Sequence, residues 1–111
     1  MDNKTDKSLW QALKWNIEND ILRGTYKLGE RLPSIRELST IYGTGLSTLQ
    51  TAMNELKKEN IVVTNGYKGT TVHPFCYDVL MQKHKKVIRD RVQSLIAEAD
   101  SIGIDREEIL K

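Results

Sequence analysis

The sequence predicts a mainly α fold with a small β-hairpin wing, that is, a winged helix-turn-helix plus a C-terminal helical dimerisation tail. Three observations predict it. Gly29-Glu30-Arg31-Leu32-Pro33 is a loop punctuated by Gly and Pro, and Ser34 then stands three residues before Glu37. That is a capping box, in which the Ser hydroxyl takes a first-turn N–H and the Glu reaches back to the cap. A second helical pattern follows after a few residues, at Leu49, Ala52, Met53 and Leu56. Finally, Ile61-Val62-Val63-Thr64 and Thr70-Thr71-Val72 flank Asn65-Gly66-Tyr67-Lys68-Gly69, the pattern of a hairpin.

Taken in order, residues 1–7 are expected to fray. Ser8 is placed to cap a first helix whose apolar positions Leu9, Ala12, Leu13, Ile17, Ile21 and Leu22, with Trp10, recur at helical spacing. Gly24 ends that helix, with Arg23 in its last turn, where the helix dipole favours a cation. Tyr26 and Leu28 occupy a loop closed by Gly29. The helix capped by Ser34 is expected to bury Ile35, Leu38 and Ile41, and Gly43 and Gly45 punctuate the turn after it. The third helix begins near Leu46 and runs to about Asn60, which suits a C′ position. The expected division is residues 1–75 for the winged helix-turn-helix and 76–111 for the tail.

The tail carries a different signal. Met81, Ile88, Val92, Leu95, Ala99 and Ile102 fall at spacings of seven, four, three, four and three, a heptad seam. A seam that continues after a domain has closed more often meets a partner chain than its own domain, so these residues are assigned to a homodimer interface. Gly103 interrupts the seam, and Asp105 followed by Glu108 is expected to cap a short last helix that brings Ile109 and Leu110 back toward it.

Composition sets the class. Charged residues make up 29% of the chain with both signs interspersed, and hydrophobic residues 39%, which suits a folded chain with a small core. The net charge of +2 lies in residues 1–75, with ten Lys/Arg against eight Asp/Glu, while residues 76–111 hold seven of each. Cys76 is the lone cysteine, so no intrachain disulfide forms, and a free thiol fits a reducing compartment. Met1 to Lys7 lack the apolar core of a signal peptide, and no apolar run nears the ~20 residues that span a bilayer. The expectation is a cytoplasmic protein with no membrane partner. His73, Cys76 and His84 lack metal-site spacing, and no nucleophile–base pair, phosphate loop or paired carboxylates stand out. No metal, no cofactor and no enzymatic activity are expected.

Residues 24–72 resemble the DNA-binding domain of the GntR family of bacterial transcriptional regulators. The resemblance rests on Gly24-x-Tyr26, Gly29-Glu30-Arg31-Leu32-Pro33-Ser34-x-Arg36-Glu37-Leu38 and Tyr42-Gly43. It continues through Thr48, Ala52, Leu56 and the wing Gly66-Tyr67-Lys68-Gly69-Thr70. A two-helix tail of this length is similar to that of the YtrA-like subfamily, where the tail serves dimerisation. The resemblance implies double-stranded DNA as partner, a repressor bound as a homodimer to a two-fold symmetric operator, and transporter operons and the chain's own gene as targets. It leaves room for a small-molecule effector of unknown identity.

The residues support the same reading chemically. A recognition helix enters a major groove about 12 Å wide with its N-terminal residues on base edges. Here that first turn is Leu46-Ser47-Thr48-Leu49-Gln50-Thr51. Ser47, Thr48 and Thr51 carry hydroxyls for phosphate or base, and Gln50 can pair with adenine. Arg36 can reach the flanking backbone or a guanine, Ser34 can touch phosphate besides capping, and Tyr67, Lys68 and Gly69 form a tip able to grip phosphate or probe the minor groove. The bland readings are an intrachain ion pair for Arg36, capping alone for Ser34, and a solvated turn for Lys68. For Trp10, Trp15 and Tyr26, core packing outweighs a ligand pocket. The sequence departs from the family at Gly45-Leu46, where relatives commonly carry Ser-Arg, and at Gln50, where they carry a basic residue. Two absent cations lower phosphate attraction and guanine readout. The rival reading is therefore a winged-helix protein–protein module in which Leu46 makes the third helix a docking surface.

Overall fold

The computed structural model describes residues 3–111, with side chains from Leu9 onward. Five helices and a two-stranded hairpin follow in the order α1 (Asn3–Arg23), α2 (Ile35–Tyr42), α3 (Leu46–Lys58), β1 (Val62–Asn65), β2 (Gly69–Val72), α4 (Tyr77–Ser101) and α5 (Arg106–Ile109). The chain separates into two compact units, Met1–Leu80 and Met81–Lys111.

In the first unit, α1 lays Leu13, Ile17 and Ile21 into the core at successive i, i+4 positions. They meet Leu38 of α2, Leu49, Ala52, Met53 and Leu56 of α3, and Val62 and Val72 of the hairpin. Trp10 packs against this cluster and Tyr26 is part of it, so both aromatics serve the core. The helix begins at Asn3, before Ser8, so Ser8 lies inside it and is not its cap. The fraying expected for residues 1–7 falls, at residues 1 and 2, outside the described residues. Ile41, expected inside, is exposed: it lies within α2, but Tyr42, four residues after the buried Leu38, takes the inward place at that end of the helix.

The capping box forms as the spacing requires. Ser34 Oγ accepts from Glu37 N–H at 3.1 Å, and Glu37 Oε1 accepts from Ser34 N–H at 3.0 Å. These hydrogen bonds to Ser34 hold the Glu37 carboxyl below its ordinary pKa. A depressed pKa means that the contribution is present at neutral pH and is lost as pH falls through the folded-state value. Ser34→Ala is therefore expected to cost about 1 kcal/mol at neutral pH. In thermal melts the gap from wild type should narrow as the pH falls through the lowered folded-state value of the Glu37 carboxyl.

Helix ends are closed by left-handed residues. Gly43 has φ 60°, and Thr44 N–H donates back to Ser39 O at 3.0 Å, which turns the chain toward α3. At the end of α3 Asn60 does the same with φ 58°, while Ile61 N–H donates to Leu56 O at 3.0 Å. Asn60 is thus the C′ residue expected, although helical residues stop at Lys58. Lys14 Nζ of α1 pairs with the buried Glu18 at 3.0 Å and with Glu59 at 2.7 Å, tying α1 to the end of α3.

The hairpin pairs Val62 with Val72 and Asn65 with Gly69, one residue later on β1 and one earlier on β2 than the apolar runs suggested. A third segment joins it: Arg31 bridges Thr71, and Leu32 N–H donates to Thr70 O at 2.8 Å. The loop before α2 is thereby fastened along β2.

In the second unit the helix ends at Ser101, and Ile102 and Ile104 N–H both donate to Ala99 O as the chain doubles back at Gly103. Asp105 stands at the N-cap of α5, but its side chain makes no capping bond. The Asp105–Glu108 spacing therefore marks the position without the expected side-chain closure.

Candidate nucleic-acid interface

The positioning of α3 begins with a phenol. Tyr42, the last residue of α2, donates its hydroxyl to Asp20 Oδ2 of α1 at 2.7 Å and lies 2.9 Å from the Tyr26 hydroxyl. Burial first, then these two partners, push the Tyr42 pKa far upward, so the phenol stays protonated and the bond stays made. Tyr42 leads directly into Gly43-Thr44-Gly45, and Ser39 Oγ donates to Thr44 O at 3.0 Å. The turn between the two helices is thus held at both its ends.

Beyond that turn α3 starts at Leu46 with Gly45 at the N-cap, where no side chain satisfies the first-turn N–H groups. These donors are left for solvent or for an anion. Leu49, Ala52, Met53 and Leu56 face the core, which leaves Leu46, Ser47, Gln50, Thr51 and Asn54 on the outer face. Thr48 is half-buried at the edge. Two outward side chains are engaged locally: Thr51 Oγ1 donates to Ser47 O at 3.1 Å, and Gln50 Nε2 donates to Asn54 Oδ1 at 3.1 Å. Asn54 belongs to this face by its i, i+4 relation to Gln50. A sequence reading limited to the first turn of α3 passes it over.

At the start of α2, Ser34 is exposed but committed to its cap, and Arg36 is exposed with no ion pair among the described residues. The intrachain pairing that could have explained Arg36 is absent there. At the hairpin tip Tyr67 is 98% exposed, and its N–H donates to Asn65 Oδ1 at 3.2 Å, which shapes the turn. Lys68 is exposed and also lacks an ion pair among the described residues. Gly69, with φ 75°, starts β2, and the Nε of Arg31 lies 3.1 Å from where a Cβ on residue 69 would stand. Arg31 was not among the sequence candidates. Its partner is nearly forty residues away, and no local pattern reports that.

The tail residues divide. Ile88, Val92, Leu95 and Ile102 are exposed, Leu95 by 62% and Ile102 by 71%. Met81 is half-buried, and Ala99 is already buried within its own chain. No helix among the described residues is long and apolar enough to cross a membrane.

This arrangement has known counterparts. The family model for "Bacterial regulatory proteins, gntR family" matches residues 9–72. The HTH-type transcriptional repressor YtrA of Bacillus subtilis is 27% identical over 98% of this chain and 84% of its own length. Among solved structures, a GntR family transcriptional regulator from Listeria monocytogenes superposes with a TM-score of 0.74 at 27% identity, covering 91% of this chain and 88% of the other. YtrA from Sulfolobus acidocaldarius, a GntR-family transcription factor, gives 0.52 at 26% identity, covering 91% and 80%. The mostly helical fold with its hairpin wing is the one these structures share. The chain therefore belongs to the GntR family of DNA-binding bacterial transcriptional regulators and is of the YtrA-like kind.

Proposed function

We propose that this chain is a repressor that binds a two-fold symmetric operator as a homodimer, with α3 in the major groove and the wing on the adjacent backbone. One observation carries the DNA-contact assignment: the outward polar face of α3 is accompanied by two exposed cations, Arg36 and Lys68, that no carboxylate of the described residues neutralises. Cations left unpaired on a folded surface are suited to phosphate, whose neutralisation releases counterions. Ser47, Thr48, Gln50 and Thr51 then supply hydroxyl and amide groups for base edges, while Leu46 offers apolar contact, for instance to a thymine methyl. Ser34 and the tip residues Tyr67 and Gly69 complete the set. The B. subtilis relative is named a repressor, which supports steric occupancy of a promoter as the mode of action.

The homodimer reading rests on the exposed row Ile88, Val92 and Leu95, which recurs at heptad spacing. Met81, Ala99 and Ile102 extend it in sequence, although Ala99 is buried within its own chain. The protein acts in the cytoplasm, where the DNA is.

The test is direct. Arg36→Ala and Lys68→Ala should each weaken binding to an operator selected from genomic fragments. Each should also reduce the slope of log K against log salt by about one, with unchanged melting temperature. Wild-type affinity for the selected duplex that neither change alters would assign these positions to the surface alone. The rival protein–protein module predicts no salt-dependent duplex binding by wild type at all.

A further inference from the structure

We propose that Arg31 is a further DNA-backbone contact, a cation laid across Gly69 so that it is presented with the wing, and that the glycine which the positive φ at 69 already favours also leaves it room. The proposal rests on the DNA-reading assignment above and adds a residue to it. Arg31 lies opposite Thr71 in an isolated antiparallel bridge, so with the strand period of two its side chain shares a face with Thr71 and Gly69. The other face carries Val62 and Val72 into the core, so Arg31 stands on the solvent side, and it is exposed. The next residue, Leu32, is buried.

Three backbone bonds pin this segment to β2: Gly29 N–H to Val72 O at 2.8 Å, Val72 N–H to Glu30 O at 2.9 Å, and Leu32 N–H to Thr70 O at 2.8 Å. A cation on so fixed a backbone loses little freedom on meeting a ligand. Its guanidinium is close against the wing. A Cβ on residue 69 would stand 3.1 Å from Nε and 3.6 Å from both Cζ and Nη2, tighter than ordinary van der Waals contact at the first. Arg31 forms no ion pair among the described residues. It touches Glu37 only through a weak electrostatic effect, smaller than the Ser34 bonds that dominate that carboxyl. The chain thus holds an exposed guanidinium, in no ion pair among the described residues, against Gly69, the residue after the exposed Lys68, and such cations suit an anionic backbone.

The experiment measures binding of a mixed-sequence synthetic duplex and of the selected operator over a series of salt concentrations. It compares wild type, R31A, R31K, G69A and the R31A/G69A double variant, with melting profiles to confirm folding. R31A should weaken both duplexes by roughly tenfold and lower the salt slope by about one, because a backbone contact is blind to sequence. R31K should keep the slope and recover part of the affinity. G69A is strained by the positive φ in both backgrounds and should weaken binding more in the wild-type background than in R31A, the non-additivity expected of one shared contact. Unchanged affinity and slope in R31A, with wild type binding normally, would overturn the role of Arg31 and leave the DNA assignment standing. An equal cost of G69A in both backgrounds would overturn the fit between the two residues. Wild type with no salt-dependent binding would overturn the DNA assignment itself.

Discussion

Leu95→Asp is expected to yield monomers and to abolish tight operator binding. Leu95 is largely exposed within its own chain, so the substitution places no charge in the fold and the melting transition of the winged helix should survive. Within a two-fold interface the same residue would be covered, and an uncompensated buried carboxylate costs about 3–5 kcal/mol. In an isologous interface that cost would fall at two copies. Each protomer would then hold one half-site alone, and affinity for a full operator should fall by orders of magnitude while half-site affinity persists. Sedimentation equilibrium and titration of full and half-sites check it. A variant that still sediments as a dimer would overturn the seam assignment and leave the winged helix intact.

The second large effect concerns the apolar residue that opens α3. Leu46 is half-exposed and follows an N-cap with no side-chain bond, so an arginine there would extend into the space where a duplex is proposed to lie. Leu46→Arg is expected to raise affinity roughly tenfold at low salt and to steepen the salt dependence by about one. If the guanidinium reaches a guanine, discrimination at one base pair should change by about 1–3 kcal/mol. If Leu46 instead packs on a thymine methyl, affinity for the selected operator drops while that for mixed-sequence DNA still rises. No change on either duplex would mean that residue 46 does not face the groove. Binding of both duplexes at two salt concentrations separates the three outcomes.

These expectations depend unequally on sequence and on structure. The capping box was legible because it is a local device: Ser34 and Glu37 satisfy each other within one turn, whatever the rest of the chain does. The same holds for the turn residues Gly43 and Asn60, whose left-handed backbone is a local steric matter. The core stripe of α3, and that of α1 at Leu13, Ile17 and Ile21, were legible because 3.6-residue periodicity forces burial onto one face, although Leu9 and Ala12 of the α1 pattern are exposed. Spacing alone misled where burial needs a neighbour to exist. Ile41 has a helical period but Tyr42 takes the inward place, and Asp105 has the capping position without the bond.

By itself, then, the sequence determined the element order, the family resemblance, and which short stretches could turn or cap. Only the tertiary structure decided which side chains share a surface. It placed Tyr42 on Asp20, Asn54 beside Gln50, and Arg31 over Gly69, and it buried Ala99 while leaving Leu95 outside. The physical reason is range. Caps and turns are set by bonds within about one helical turn, whereas a strand bridge or a buried hydroxyl pair joins residues that only the closed chain brings within reach.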